Sequence, residues 1–246
     1  MNRILFERDE ITDGIATFGG VRAEHVMKVL HGEVGQVLKT GEVDGPVGTG
    51  EIVEVGAVVR AKVSHTEPSR GPWIDLILAP PRPRVLKRLL PQLATLGVGR
   101  IVLVGAAKVE KDFWGATLLK PENYRPLLID GLMQAGTSIL PRLECWKSFN
   151  RFLREGLPAF PTADRIVAHP SVTPAVTPSA PDAAGVSHPL PLLAIGPEGG
   201  WTDDEVEQLT AHGFRGYSLG SRILRTDTAT IALLAQLMER YEPRGG

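Results

Sequence analysis

Two glycine-bearing turns, each between a short apolar segment and a predicted helix, constrain the fold of this chain more than any other feature. The first is IGPEGG at residues 195–200, and the second lies within LGSRILRTDTA at residues 219–229. Two successive strand–turn–helix units indicate neighbouring parallel strands. Because open α/β sheets bind ligands at the carboxyl ends of such strands, we expect both turns to form one ligand site.

The residues after the first turn indicate which kind of ligand this site would take. Thr202 and Glu205 have the spacing of a capping box, which predicts a helix that begins near Thr202. Asp203, Asp204 and Glu205 would occupy the positive end of that helix and repel an anion. A neutral or cationic ligand therefore fits better than a phosphate. The alternative is a structural junction whose glycines only supply positive φ angles.

The remaining pattern predicts two domains. Residues 1–70 contain valine-rich alternating segments, which are typical of a small β-barrel. The polar stretch at residues 65–72 reads as a linker. Strands that alternate with helices in residues 71–246 indicate an α/β domain with a mostly parallel sheet. Within it, residues 171–191 are rich in proline and alanine and are predicted to form a mobile surface loop.

Two predicted helices carry an apolar stripe. In the first domain, residues 23–32 place Val26, Val29 and Leu30 on one helical face. The last predicted helix, after Thr226, has a stripe formed by Ile231, Leu234, Ala235 and Met238. Such a stripe packs either in a core or at a subunit interface.

Composition and charge exclude several classes of function. Cys145 is the single cysteine, and the six histidines are scattered, so we expect neither a disulfide nor a metal. The N-terminus lacks the apolar core of a secretion signal, and no apolar run reaches the ~20 residues of a membrane helix. We therefore expect a cytoplasmic protein without a membrane partner. Since the net charge is −1, any nucleic-acid surface must be a local patch.

One basic patch is present between residues 82 and 111. It consists of Arg82, Arg84, Lys87, Arg88, Arg100, Lys108 and Lys111, with Glu110 as its one acid. A charge run of this kind is either a solvated face or a surface for a phosphate backbone. We assign Arg82, Arg84, Lys87 and Arg88 to RNA binding.

The two turns, in this order, resemble the SPOUT methyltransferases, and most closely the RsmE family, which methylates a uracil ring nitrogen of 16S ribosomal RNA. The resemblance extends to LATLGVGRIVLV at residues 93–104 and to the pair His169-Pro170. HVMKVLHGEVGQVL at residues 25–38 is similar to the PUA-like RNA-binding barrel of that family. Nearly the whole chain is covered.

The resemblance implies a fold, a cofactor and partners. The expected fold is α/β, a SPOUT-type mostly parallel sheet with a trefoil knot and helices on both faces, preceded by a small PUA-like β-barrel. The implied cofactor is S-adenosylmethionine, bound in a bent conformation by the knot loops. The implied partners are ribosomal RNA or the small ribosomal subunit, and a second copy of the chain in a homodimer.

The resemblance also assigns site residues. Arg225 would stabilise the negative charge that develops on the uracil oxygens, and Glu198 would orient Arg225 or remove the N3 proton. Positioning of the two reactants would account for most of the catalysis. The residues assigned to the cofactor are His169, Ile195, Gly196, Pro197, Glu198, Gly199, Gly200, Leu219, Gly220, Ser221, Ile223, Leu224 and Thr226.

The chain departs from the family pattern within LMQAGTSILP at residues 132–141. The family has Glu-Gln followed by Gly-Arg, whereas Met133 and Thr137 stand at the Glu and Arg positions here. The leading interpretation is an enzyme that methylates N3 of a uridine in 16S ribosomal RNA. The alternatives are a non-catalytic RNA-binding protein that retains the fold, and a knotted methyltransferase with another RNA target. The presence of both turns favours an enzyme, because a pure binder has no need of both.

Overall fold

The computed structural model describes residues 2–161, 164–169 and 190–242. The predicted loop at residues 171–191 therefore lies outside the described residues, except for its last two positions. Pro170 of the His-Pro pair also lies outside them.

The chain forms two compact units. One unit consists of residues 1–71 with residues 128–140, and the other of residues 72–127 with residues 141–246. The predicted domain boundary after residue 70 lies next to the first of these divisions. Residues 128–140, which the prediction includes in the second domain, group with the N-terminal unit instead.

The N-terminal unit is built on a six-stranded, curled sheet that forms a half-barrel. Its strand order is β1-β4-β5-β6-β3-β2, and all neighbours are antiparallel except the parallel pair β1 and β4. The core includes Phe6, Phe18 and Ile52. The strands are β1 (Ile4–Phe6), β2 (Ile11–Thr12), β3 (Ile15–Phe18), β4 (Val37–Glu42), β5 (Val47–Val55) and β6 (Val59–Glu67).

Helix α1 (Gly20–Lys28) begins and ends earlier than the helix predicted for residues 23–32. Val26 lies in the core, but Val29 and Leu30 are exposed, so the predicted apolar stripe is wrong for these two residues. The chain turns back after the helix, because the amide of Gly32 donates to the carbonyl of Val26 at 2.9 Å. A Cβ at Gly32 would lie 2.5 Å from the Val26 side chain, so glycine permits this close return.

The second unit contains a six-stranded sheet in which every neighbouring pair is parallel. Its strand order is β12-β10-β11-β7-β8-β9. This confirms the predicted parallel α/β sheet. The strands are β7 (Ile74–Leu78), β8 (Val98–Val104), β9 (Arg142–Trp146), β10 (Arg165–Ala168), β11 (Leu192–Ile195) and β12 (Phe214–Tyr217).

Helical segments pack against this sheet. Helix α2 contacts both β8 and α6, and Leu209 of α5 shares a buried cluster with Ile77 of β7 and Phe149 of α4. A π-helical turn (Phe152–Gly156) and a 3-10 turn (Leu157–Ala159) continue the short helix α4. The helices are α2 (Pro83–Thr95), α3 (Pro121–Ala135), α4 (Phe149–Arg151), α5 (Asp203–Ala211) and α6 (Thr226–Tyr241).

Residues 128–140 are hydrogen-bonded into the N-terminal unit. The amide of Arg3 donates to the carbonyl of Met133 at 3.0 Å. The hydroxyl of Ser138 donates to the carbonyl of Gly45 at 2.6 Å, and the Ser138 carbonyl accepts from the amide of Asp44 at 2.8 Å. Met133 is buried. The position at which the family has a glutamate is therefore used here for packing within the N-terminal unit.

Candidate functional site

A pocket lies where β10, β11 and β12 end. Its empty volume, open solvent included, is about 690 Å³. The two glycine-bearing turns form its walls together. The lining residues are Ala168, His169, Ile195, Gly196, Pro197, Glu198, Gly200, Trp201, Tyr217, Ser218, Leu219, Gly220, Arg222, Ile223, Leu224, Thr226, Ala229 and Leu233.

Glycines shape the first turn. A Cβ at Gly196 would lie 2.9 Å from the backbone nitrogen of Trp201, so the turn can close only without a side chain there. Gly200 has φ +70°, which favours glycine, and its amide donates to the carbonyl of Pro197 at 2.8 Å. The hydroxyl of Thr226, at the start of α6, donates to the carbonyl of Gly196 at 3.5 Å and so links α6 to this turn.

The capping box after the first turn is confirmed, and one of its members does more than predicted. Thr202 is the N-cap of α5 and accepts from the amide of Glu205 at 3.2 Å. The carboxylate of Glu205 accepts from the amide of Thr202 at 2.8 Å and from the amide of Ala107 at 2.7 Å. Glu205 is 5% exposed, whereas Asp203 and Asp204 are exposed. A buried carboxylate thus connects the loop after β8 to the first turn.

The second turn leaves backbone groups available to a ligand. Gly220 has φ +110°, and its amide donates to the hydroxyl of Ser218 at 3.2 Å. Among the described residues, no hydrogen bond involves residues 221–224. Ile223 is 88% exposed although it lines the pocket. Unpaired backbone groups beside an exposed apolar side chain are suited to a ligand with both polar and apolar parts.

All residues assigned to the cofactor line the pocket, except Gly199 and Ser221. The carbonyl of Gly199 accepts from Nζ of Lys108 at 2.7 Å, and a Cβ at Gly199 would lie 2.9 Å from Cδ of Lys108. Contact of the assigned residues with the cofactor, Gly199 and Ser221 included, stays a prediction. Met133 and Thr137 do not line the pocket.

Sequence reasoning missed several lining residues. Trp201, Tyr217 and Ser218 directly flank the two motifs, so extension of each motif by one or two positions would have found them. Ala229 and Leu233 lie on α6, where the helical period alone cannot distinguish a pocket wall from a core face.

The two predicted catalytic residues are placed differently. Glu198 lines the pocket, and its carboxylate lies 3.9 Å from Nε of Arg82. Arg225 is the N-cap residue of α6, is exposed and does not line the pocket. No ion pair between Glu198 and Arg225 occurs in the described part of the chain, so the predicted orientation of Arg225 by Glu198 has no contact to support it.

The predicted RNA-binding residues lie at the start of α2. Arg82 precedes the helix and pairs with Glu110, with 3.2 Å between Nε and Oε1. Arg88 lies 3.7 Å from the carboxylate of Asp227. Arg84 and Lys87 are exposed, and within residues 2–161, 164–169 and 190–242 neither forms an ion pair. Binding of RNA by these residues stays a prediction.

Other kinds of site are not found in the part of the chain that the structure describes. It contains no group of three or more His, Cys, Asp or Glu side chains that could hold a metal ion. Within the same residues, no helix has both the length and the apolar character needed to cross a bilayer. The pocket is thus the candidate site, with Glu198 and Arg222 as its formally charged lining residues.

Solved structures share this fold. A Legionella pneumophila protein described as a methyltransferase, solved in complex with the bound cofactor SAM, matches with a TM-score of 0.74 at 26% identity, over 97% of both chains. Ribosomal RNA small subunit methyltransferase E from Neisseria gonorrhoeae, solved bound to S-adenosyl methionine, matches with a TM-score of 0.70 at 21% identity, over 97% of both chains. The α/β fold expected from the resemblance is thereby confirmed.

A family model described as an RNA methyltransferase domain matches residues 68–238. The fold and the pocket thus define an RNA methyltransferase. Ribosomal RNA small subunit methyltransferase E from Treponema pallidum is 30% identical over the full length of this chain and 96% of its own length. Its counterpart E 1 from Borreliella burgdorferi is 26% identical over 94% of this chain and 95% of its own. The chain belongs to the ribosomal RNA small subunit methyltransferase E family, the RsmE family that its motifs resemble.

Proposed function

We propose that this chain uses S-adenosylmethionine to methylate N3 of a uridine in 16S ribosomal RNA, in the cytoplasm where small ribosomal subunits are made. The observation that carries the proposal is the pocket formed jointly by the two glycine-bearing turns. Family membership supports ribosomal RNA as the substrate. The SAM bound to the Legionella relative supports the cofactor.

The residues of the pocket fit S-adenosylmethionine, which supplies a methyl group on a positively charged sulfur. The unpaired backbone groups of residues 221–224 would hold its polar parts. Ile223 would be covered by it, which accounts for an apolar side chain that is otherwise in water. The exposed Asp203 and Asp204 would not repel a sulfonium cation as they would a phosphate.

The protein's own groups would then position the RNA base and accept its proton. Glu198 lines the pocket and carries a carboxylate that can accept the N3 proton. The charge left on the uracil oxygens requires a cation or another donor. The resemblance assigns Arg225 to this role, but Arg225 does not line the pocket.

Cofactor binding is tested by calorimetric titration with S-adenosylhomocysteine, with ATP as the control ligand. We expect about one site per chain for S-adenosylhomocysteine and no heat from ATP. At a ligand concentration about 100 times Kd, the stability of the fold should rise by about 2.7 kcal/mol. Methyl transfer is then measured on small ribosomal subunits, with the modified position mapped in the RNA.

Each outcome of these two measurements separates the candidate functions. Cofactor binding with transfer to 16S RNA supports the proposal. Cofactor binding with transfer only to another RNA would point to the alternative target. Absence of cofactor binding, with RNA present as well as without it, would reject the proposal in favour of an RNA-binding protein that retains the fold.

A second prediction concerns the RNA surface. Replacing Arg84 and Lys87 together with glutamine removes two exposed cations that form no ion pair in the described residues. We expect the slope of log K against log salt for RNA binding to fall in magnitude by about 1.5, since each phosphate contact contributes about 0.7–0.9. The matched control replaces Arg151 and Arg154, which are exposed and pair with Glu155. If the two double variants had equal salt slopes, Arg84 and Lys87 would be solvated surface charges that do not contact RNA.

The trefoil knot and the homodimer also belong to this proposal. The order β12-β10-β11 and the bond from Thr226 back to Gly196 are consistent with a C-terminal segment that passes through the loops of the site. On α6 the buried residues include Leu233, Leu234 and Leu237, while Ala235 of the predicted stripe is exposed and so is available to a second copy. Light scattering during size-exclusion chromatography would give the mass of a dimer if the proposal is right.

A further inference from the structure

A second, smaller cleft shares a wall with the cofactor pocket. Its empty volume, open solvent included, is about 320 Å³, and Pro197 and Glu198 line both cavities. We call it the proline cleft. Its remaining lining residues are Pro80, Pro81, Arg82, Pro83, Lys108, Val109, Glu110 and Phe113.

The walls of the proline cleft are rigid and largely apolar. Pro80 and Pro81 are buried, and Phe113 is 3% exposed. Proline rings have a fixed φ and no amide hydrogen, so they form flat surfaces that do not compete for hydrogen bonds. Such walls suit a flat ring more than a flexible chain.

The polar groups of the cleft form one set at its mouth. Both ion pairs of Arg82, at 3.2 Å to Glu110 and at 3.9 Å to Glu198, use its Nε atom. The two terminal nitrogens of Arg82 form no hydrogen bond within the described residues. Lys108, by contrast, has its ammonium bound to the carbonyl of Gly199. That ammonium keeps two further donors, but among the described residues Arg82 is the cation of the cleft that pairs with Glu198.

The donors and acceptors of a uracil ring are complementary to the polar groups of the cleft. Its imide edge carries N3–H between the two carbonyl oxygens O2 and O4, so it needs one acceptor flanked by donors. The carboxylate of Glu198 is the acceptor, and a guanidinium offers several donors in one plane. Glu198 also belongs to the cofactor pocket, so a base held against it would lie next to the cofactor.

We propose that the proline cleft holds the target uracil, and that Arg82 donates to an imide oxygen of the base while Glu198 accepts the N3 proton. In this step the N3–H proton passes to the carboxylate, and the N3 electron pair forms the new bond to the methyl carbon. The carbon–sulfur bond breaks, its electron pair stays on sulfur, and the sulfonium becomes a neutral thioether. Arg82 stabilises the charge that spreads onto the oxygens before the methyl group arrives. This inference rests on the proposed function.

The test compares two arginines that lie two positions apart. Arg82→Gln removes the donor in the cleft, and Arg84→Gln removes a cation that does not line it. Both side chains are at the surface, so neither change should unfold the protein. For each variant we would measure S-adenosylhomocysteine affinity, RNA affinity, and the single-turnover rate at saturating small subunits as a function of pH.

The expected result is a division of effects between the two variants. Arg82→Gln should lower the saturated rate by about 10- to 100-fold at neutral pH. Part of this rate should return at alkaline pH, where N3 loses its proton without help, and Arg82→Lys should recover part of it at neutral pH. Arg84→Gln should weaken RNA binding, lower the saturated rate less than Arg82→Gln does and keep the wild-type pH profile, and both variants should bind S-adenosylhomocysteine like the wild type.

The inference is overturned if Arg82→Gln weakens RNA binding but has the saturated rate and pH profile of the wild type, because Arg82 would then contact phosphate. A wild-type protein that binds S-adenosylhomocysteine but methylates no uridine would instead reject the proposed function. The two failures can be distinguished, because failure of the proposed function is seen with the wild-type protein, whereas failure of this inference is seen only with the Arg82 variant.

Discussion

Replacing Glu205 with alanine is expected to lower the free energy of unfolding by about 3 kcal/mol. The carboxylate is 5% exposed and accepts from two backbone amides, those of Thr202 and Ala107, at 2.8 and 2.7 Å. Hydrogen bonds to a charged group contribute about 1.5–3 kcal/mol each, and a buried donor left without an acceptor adds a desolvation cost. Urea unfolding measures the change directly.

Two further variants make the Glu205 result specific. Glu205→Gln keeps one acceptor oxygen and should lose about half as much stability as the alanine variant. Asp203→Ala removes an exposed acid from the same first turn of α5 and should cost only about 0.5 kcal/mol, the usual effect of a charge on the helix dipole. If Glu205→Ala and Asp203→Ala were equally stable, the connection from Glu205 to the loop after β8 would contribute nothing.

Replacing Gly220 with valine is expected to weaken S-adenosylhomocysteine binding by about 10- to 100-fold. Gly220 has φ +110°, a conformation that a β-branched residue does not tolerate. The strain of about 1–3 kcal/mol can be relieved only if the second turn, which is a wall of the pocket, changes shape. A loss of about 1.4 kcal/mol of binding free energy is a tenfold loss of affinity. Calorimetry gives the affinity.

Gly213→Val is the matched control for this prediction. Gly213 has φ +84° and, like Gly220, has open space where a Cβ would lie, but it is located between α5 and β12 and does not line the pocket. Both variants should lose similar stability, whereas only Gly220→Val should lose affinity. If the two variants had equal affinity for S-adenosylhomocysteine, the second turn would not be part of the binding site.

The features that the sequence predicted correctly are those encoded by neighbouring residues. Thr202 and Glu205 form the capping box because their spacing fits one helical turn. The parallel sheet follows from alternating strands and helices, and the shared pocket follows from two turns at the ends of neighbouring strands. Each of these inferences needs only local spacing and the rule that parallel strands end at one edge.

The features that the sequence could not predict depend on residues far apart in the chain. Glu205 bonds to Ala107, which is 98 positions away. The resemblance assigned Arg225 to act beside Glu198, whereas folding brings Arg82, which is far from both turns in the sequence, to 3.9 Å from that carboxylate. The early end of α1 at Lys28 likewise follows from the return of Gly32 onto Val26, which the helical period does not contain.

Residues 128–140 belong to the N-terminal unit although they are far from it in the sequence, and this limits how the chain can be cut into separate units. A cut after residue 71 severs the N-terminal unit from the segment whose carbonyls and hydroxyl bind Arg3, Asp44 and Gly45. The N-terminal unit is therefore not a cassette that gene fusion can transfer intact between methyltransferases. A fusion that is to keep the hydrogen bonds of this unit must carry residues 1–71 and residues 128–140 together.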